Sequence, residues 1–302
     1  MSTIKLKMKK ILIIGGCGYI GSYLYKILKK DYSVYTVDLE WFGNFLGVSN
    51  MKIDYDVLSE KILDSYDVII LLAANSSVKM CEDPYDTFNN NVIKFVNLAR
   101  KIKKQKFIYA SSSCVYVSSG NELKTETDML NPLDGLTLSK TTIDHYMALS
   151  DIEYYGLRFG SVNGWSPNMR LDLMINAMTL SAINNGFVNV FNGNAHRPIL
   201  SINDLGRSIL CIIQSEEDKR GIYNIASFNE KIYNIGEGIA SLFNVELRDT
   251  GNNFTYDFSI SSQKFIDAYN FAFSGTIKNI AGEIANNQFN NKWNKREKKN
   301  EL

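Results

Sequence analysis

Cysteine is scarce and scattered in this chain. Its four cysteines among 302 residues stand at Cys17, Cys81, Cys114 and Cys211, with no CxxC pair and no His-Cys cluster. That spacing argues against a disulfide framework and a thiolate metal site, so no metal is expected, and it fits a reducing cytoplasm. Net charge is lacking as well. The 33 Lys and Arg balance 32 Asp and Glu to +1, which gives no electrostatic reason for nucleic acid or an anionic membrane to be the partner. No apolar run approaches the roughly 20 residues that span a bilayer. Near the start, "ILII" follows lysines, but it is too short for a secretory signal core and flows into glycine, so it is expected to be a buried first strand. Internal repeats and low-complexity linkers are absent. What is present is globular material, 45% hydrophobic and 22% charged, long enough for one large domain or two unequal ones around a substantial core. Small-molecule chemistry is the expected function class.

Strand-like and helix-like segments alternate along the first half. "KILIIGG", "YSVYTVD", "YDVIILLAA", "KFIYASSS" and "IEYYGLRFGS" read as strands, and "YIGSYLYKILKK", "FNNNVIKFVNLARKIKK" and "TLSKTTIDHYMALSD" as helices. Short apolar β-rich runs separated by helix-period segments imply crossover units, hence an α/β fold with a doubly wound parallel sheet of the Rossmann kind. Beyond about residue 163 the order loosens around two helical stretches, "LDLMINAMTLSAINN" and "INDLGRSILCIIQS". The expected division is a cofactor-binding part over 8–162 and a smaller substrate-binding part over 163–288, interleaved with the sheet. Residues 1–7 and the Asn- and charge-rich 289–302 are expected to be tails.

The stretch "GGCGYIGS" places Gly15, Gly18 and Gly21 at G-x-x-G-x-x-G spacing between a strand and a helix. Glycines there permit a tight turn and a close approach to a pyrophosphate, while the helix N-terminus, beginning at Tyr19 and Ile20, favours negative charge. The second strand ends at Asp38, 20 residues after Gly18. A carboxylate there hydrogen-bonds ribose hydroxyls and repels a 2′-phosphate, so the expected cofactor is NAD rather than NADP. Asp54, in "KIDYD", lies where a further strand should end; it is read either as a contact to adenine or as a plain turn residue.

With these residues the chain resembles the extended short-chain dehydrogenase/reductases of the nucleotide-sugar epimerase/dehydratase family, over residues 8 to 285. "LLAANSSV", which holds Ala73 of the cofactor site, "SSSCVY", "SK" followed by Asp144, and "RPILSINDLGRSI" carry the resemblance. It implies a tyrosine and a lysine one helical turn apart on one face of the active-site helix. Lys140 matches the lysine, which also holds the nicotinamide ribose, but Leu136 stands where the tyrosine should be. Ser112 matches the hydroxyl that polarises the substrate oxygen; otherwise it is a serine capping a strand end.

Candidate replacements for the missing base are Tyr116, Cys114, Asp134 and a water held by Ser112. Asp134 is read first as a turn residue before the helix, and His145 as structural. Ser113 and Cys114 occupy the positions where the family's 4,6-dehydratases carry Asp and Glu, which argues against dehydration. The resemblance further implies that Arg197 pairs with a nucleotide diphosphate and that Asn176 hydrogen-bonds it. His196 is placed to touch substrate, and Arg170 either joins it or is a solvated charge. Asp204 is expected to cap or buttress a helix. The implied partner is a nucleotide-diphosphate sugar, on a path to surface polysaccharide, and the implied assembly is a homodimer through helices around 90–104 and 137–150. Two functions stand against each other: a C4 epimerase or dehydrogenase with an altered proton-transfer group, and a non-catalytic binder of NAD and nucleotide sugar.

Overall fold

The first expected strand forms as Lys10–Ile14 (β1), and its side chains sort by parity. Ile11 and Ile13 enter one apolar layer, Leu12 and Ile14 the other. Successive side chains of a strand point to opposite faces, so a run of branched apolar residues belongs in a sheet covered on both sides. Ser33–Val37 (β2) pairs parallel with one edge of β1 and Val68–Leu71 (β3) with the other. In β3, Val68 and Ile70 join the first layer and Ile69 and Leu71 the second. Lys106–Ser112 (β4) follows, then the short Leu123–Lys124 (β5), Tyr154–Phe159 (β6), Ser161–Asn163 (β7), Phe187–Val190 (β8), His196–Ser201 (β9) and Gly221–Ile225 (β10). The main sheet has six strands in the order β10-β6-β4-β3-β1-β2, every pair parallel. β10 comes from the second half of the chain, so the sheet is completed by residues beyond 163.

The computed structural model describes residues 8–116, 121–251 and 255–288. The terminal stretches expected as tails, 1–7 and 289–302, lie outside the described residues.

Helices cover both faces of the sheet. Tyr19–Leu28 (α1) buries Tyr19, Tyr23, Leu24 and Leu28 in the first layer, a helical spacing that makes one apolar stripe. The short Glu60–Leu63 (α2) and Pro84–Phe88 (α3), then Lys94–Ala99 (α4) and Gly135–Ala148 (α5), belong to the other side, where Phe95, Leu98, Ile143 and Met147 pack in the second layer. The helix expected over 88–104 differs in detail: the helical run starts at Pro84, widens into a π turn over Asn89–Ile93 and ends at Ala99. That π turn presents Asn91, which accepts from the Asn75 N–H at 2.8 Å, donates to its carbonyl at 2.9 Å and reaches Ser139 at 3.2 Å. The strand expected before Asp54 does not form either; Met51 makes a single bridge to Val37.

Met174–Asn185 (α6) belongs to the second part, and Ile202–Gln214 (α7) lies against α1. Phe228–Lys231 (β11) completes a three-stranded sheet in the order β11-β9-β7. Ile232–Phe243 (α8), Glu246–Asp249 (β12, paired with β8), Ser259–Ile260 (β13, paired with β5), Gln263–Tyr269 (α9) and Ile277–Gln288 (α10) finish the chain, with α6, α8 and α10 packed together. Asp204 on α7 is fully buried and accepts from Ser227 at 2.6 Å and from the Gly275 N–H at 2.8 Å, so it buttresses the turn before α10. No described helix is long and apolar enough to cross a membrane.

Strand order reverses between β1 and β3: the chain runs outward to β2, then returns to build the other half. Such a switch point leaves a crevice at the carboxyl ends of the strands, and here that crevice is a cavity of about 1340 Å³. Single small-ligand sites occupy roughly 300–1,000 Å³, so this volume exceeds what one such ligand needs.

Candidate active site

At one end of the cavity the glycine-rich turn is built for a close backbone approach. Gly15 adopts φ +86°, and a Cβ there would stand 2.6 Å from the Ala73 nitrogen. A Cβ on Gly21 would meet the Gly15 carbonyl oxygen at 2.1 Å, so the helix can pack this closely on the turn only without one. Gly18 is the N-cap of α1 and offers no side-chain cap, leaving the helix N-terminus to whatever lies in the cavity. Asp38 accepts from the Cys17 N–H at 3.0 Å and from the Glu40 N–H at 2.7 Å. Burial nevertheless raises its carboxyl above the usual value, against the pull of those bonds.

Gly15, Gly18, Tyr19, Ile20, Gly21, Asp38, Asp54 and Ala73 all line the cavity. Two carry other duties. The Tyr19 hydroxyl donates to the Gly164 carbonyl at 2.7 Å, and Asp54 caps the one-turn 3-10 helix Tyr55–Val57 while pairing with Lys94. Sequence reasoning missed Trp41 and Phe42, an exposed aromatic pair just after Asp38 that lines the cavity; the signal was the aromatic pair in "EWF" directly after the carboxylate.

The middle of the cavity is walled by the end of β4 and the start of α5. Ser112, Cys114, Leu136 and Lys140 all line it. The Ser112 hydroxyl oxygen accepts from the Cys114 N–H at 3.2 Å. Lys140 is buried and donates to the Ala110 carbonyl at 2.8 Å. Burial lowers it to about 8, while Asp144 and Cys81 act in the opposite direction. Burial raises the Cys114 thiol, with its hydrogen bond to Ser112 and the Arg197 charge opposing.

Tyr116 requires correction as a candidate base. It is buried outside the cavity wall, where its hydroxyl accepts from Arg158 at 2.6 Å and donates to Asn224 at 2.8 Å. Burial drives it up to about 12. Arg158 in turn pairs at 2.7 Å with the fully buried Asp144 of α5, so Tyr116 belongs to an internal network that ties α5 to β6. Asp134 is the N-cap of α5, in a capping box with Thr137, and His145 is exposed on the same helix.

Arg197 and Arg170 also line the cavity, Arg170 on a loop whose Asn168 donates to the Cys17 carbonyl of the glycine turn at 2.6 Å. Arg197 donates to Thr255, with its guanidinium carbon 5.5 Å from the ring centre of Tyr256. Arg170 makes a two-pronged pair with Asp172 at 3.1 and 2.6 Å. Asn176 and His196 are corrected. On α6 the cavity takes Met174, Ala177, Met178 and Ser181, the i, i+3, i+4, i+7 face of the helix. Asn176 falls off that face and is fully buried, accepting from the Gly164 N–H at 2.9 Å and donating to the Arg170 carbonyl at 2.9 Å. It shapes the loop that carries Arg170. The His196 ring lies 3.1 Å from Asp257 and outside the cavity wall, because side chains alternate along β9 and its neighbour Arg197 takes the inward place. Thr255, Tyr256 and Phe258, which also line the cavity, gave no signal in sequence.

The profile of the NAD dependent epimerase/dehydratase family matches residues 11–226. Among curated relatives, the Protein CapI of Staphylococcus aureus is 27% identical over 263 residues, 75% of this chain and 78% of that protein. A UDP-glucose 4-epimerase of Lactobacillus helveticus is 28% identical over 176 residues, 53% of each chain. Among solved structures, a UDP-glucuronic acid 4-epimerase from Bacillus cereus superposes with a TM-score of 0.79 at 20% identity, covering 92% of this chain and 98% of that one. An ADP-L-glycero-D-manno-heptose-6-epimerase from Helicobacter pylori gives 0.81 at 22% identity, covering 95% and 99%. At these identities the structural likeness fixes the fold.

Proposed function

The chain belongs to the NAD-dependent epimerase/dehydratase family, and on that premise we propose that it modifies a nucleotide-diphosphate sugar by hydride transfer at one carbon, C4, as an epimerase or dehydrogenase with an altered proton-transfer group. One observation carries this reading: a single cavity wall holds a phosphate-approaching glycine turn and Asp38, then Ser112 and Lys140, and two arginines, Arg197 and Arg170.

The residues around the glycine turn fit NAD. The turn at Gly15 and Gly21 leaves no room for side chains, the α1 N-terminus favours an anionic pyrophosphate, and Asp38 offers acceptors to ribose hydroxyls while repelling a 2′-phosphate. Bound there, NAD supplies an acceptor and donor of hydride for a sugar carbon. Lys140 holds the nicotinamide ribose and adds positive potential beside the reacting oxygen. Ser112 donates to that oxygen, and Leu136 keeps the wall dry without carrying a proton. Arg197 and Arg170 meet the diphosphate, guanidinium being suited to two-pronged phosphate contacts. Ser113 and Cys114 bring no carboxylate, so elimination of water from the sugar lacks its acid and base. Residues 8–162 thus supply the cofactor end and 163–288 most of the substrate end. The same reading includes a homodimer through α4 with its preceding π turn and α5, where exposed Ile93 of the π turn, Leu138 of α5 and Leu149 just after it offer apolar surface for a second copy; sedimentation equilibrium giving a monomer at micromolar concentration would remove it.

One observation favours a second reading, a non-catalytic binder: Leu136 puts an alkyl group in the wall where the family has a phenol. Both are tested by identifying any dinucleotide released on denaturation, then mixing the NAD form with UDP-, GDP-, CDP- and dTDP-sugars while following reduced-nicotinamide absorbance and sugar NMR. Reduced cofactor or an epimerised sugar supports the enzyme. Saturable binding of a sugar with neither product supports the binder.

A further inference from the structure

Asp134 and Tyr256 lie 122 positions apart in the chain, yet the Tyr256 phenol donates its hydrogen bond to Asp134 Oδ2. The other carboxylate oxygen, Oδ1, caps α5 by accepting from the Thr137 N–H at 2.8 Å and from the Thr137 hydroxyl at 2.9 Å. Tyr256 is part of the cavity wall together with Ser112, Cys114, Leu136 and Arg197, whereas Asp134 stands behind that wall. Among the described residues, the charged and titratable groups acting on the phenol include Asp134, the Cys114 thiol and the Arg197 guanidinium. The helix that presents Leu136 to the cavity therefore begins at a carboxylate already joined to a phenol facing the same cavity.

We infer that Tyr256 and Asp134 form the proton relay of this site, taking the place of the hydroxyl that Leu136 lacks; this rests on the nucleotide-sugar reading above. In the oxidative direction the sugar O–H bond breaks and its proton passes to the Tyr256 oxygen, while the Tyr256 proton passes to the Asp134 carboxylate. The C–H electron pair leaves as hydride to a nicotinamide dinucleotide, the oxidant, and the carbon–oxygen double bond forms. Reduction reverses each transfer. The pair is needed because the phenol is a poor base alone: burial and its hydrogen bond to Asp134 both hold its proton on, raising it well above the ordinary tyrosine range. Asp134 is the final acceptor, and its capping oxygen keeps it in register with α5. A hydroxyl between an acid and a substrate oxygen is an ordinary general acid-base arrangement, worth roughly 10²–10⁴ in rate.

Two measurements on the full chain test the relay. In protein labelled at tyrosine Cζ with ¹³C, the resonance lost in Tyr256→Phe identifies this phenol, and it should shift in Asp134→Asn; a resonance that stays in place overturns the relay whatever the activity. With the sugar panel, Tyr256→Phe and Asp134→Asn should each lower kcat about 100-fold with KM and melting temperature little changed, since Asn also caps helices. Leu136→Tyr should restore the rate to Tyr256→Phe. An unchanged kcat, or a loss confined to KM, overturns the relay while leaving the proposed function standing. A wild-type protein that moves no hydride with any sugar refutes the proposed function itself, and the relay falls with it.

Discussion

The Lys140 ammonium donates to the main-chain carbonyl of Ala110, 2.8 Å away, so a charge on α5 is fastened to β4 inside the cavity wall. The charge is held there against desolvation, which lowers it to about 8 from an ordinary 10.5.

That shift has a signed consequence for stability. Below pH 8 the folded and unfolded chains both carry the Lys140 proton, and the burial penalty is fully present. From pH 8 to 10.5 the unfolded chain binds more protons, so stability rises with pH in that window and the penalty is gone above it. At about 1.4 kcal/mol per unit the penalty is of order 3 kcal/mol. Urea unfolding of wild type and Lys140→Met at pH 7.5 and 9.5 checks this. Wild type should gain on the variant at the higher pH, and a constant difference would show the ammonium to be hydrated.

Leu136→Tyr restores a hydroxyl one turn before Lys140. The fold should be retained, because Leu136 is half-buried in the wall of a roomy cavity, and any epimerase or dehydrogenase rate should rise about tenfold or more. Stopped-flow absorbance of reduced nicotinamide reads it. No gain, with NAD and sugar still bound, places the proton route wholly elsewhere.

Asp38→Ser removes the carboxylate that sets cofactor choice. Affinity for NAD should fall about tenfold with the loss of a charge-assisted hydrogen bond, while affinity for NADP should fall less or rise as the repulsion disappears. Titration calorimetry with both dinucleotides decides; an equal loss for the two would make Asp38 a support for the Cys17 turn alone.

Asn176→Ala and Arg197→Ala should separate structure from recognition. The first leaves the Gly164 N–H and the Arg170 carbonyl without their partner in a fully buried place, for about 1–3 kcal/mol of stability. The second should leave the melting temperature nearly unchanged and raise the nucleotide-sugar Kd about tenfold or more. Melting curves and sugar binding on both variants check the contrast, and a reversed pattern would put Asn176 on the ligand.

Some of this molecule was written locally. The parity of "ILII", the glycines between strand and helix, and Asp38 at the end of β2 depend on spacing within a few residues, and those spacings recur in the structure as β1, the turn and the carboxylate facing the cavity. Lys140 was legible for the same reason, lying one turn from Leu136 on one helix face. The undivided helix over 88–104 failed where side-chain contacts overrode propensity, as Asn91 does by bonding to the Asn75 backbone, and before Asp54 a single Met51–Val37 bridge stands in place of a strand.

Facing is what the sequence could not state. Tyr116 follows Ser112 closely in the chain but turns into the Arg158–Asp144 network, and His196 and Asn176 each sit one place off the face that meets the cavity. Tyr256 could not be found at all, because its meaning lies in a partner on another element. The sequence by itself determined the layers, the glycine turn and the residue types available, since these follow from backbone sterics and the periods of strand and helix. Tertiary structure alone decided which hydroxyl meets which carboxylate, since Asp134 and Tyr256 are brought together only when the chain's second half closes over the first.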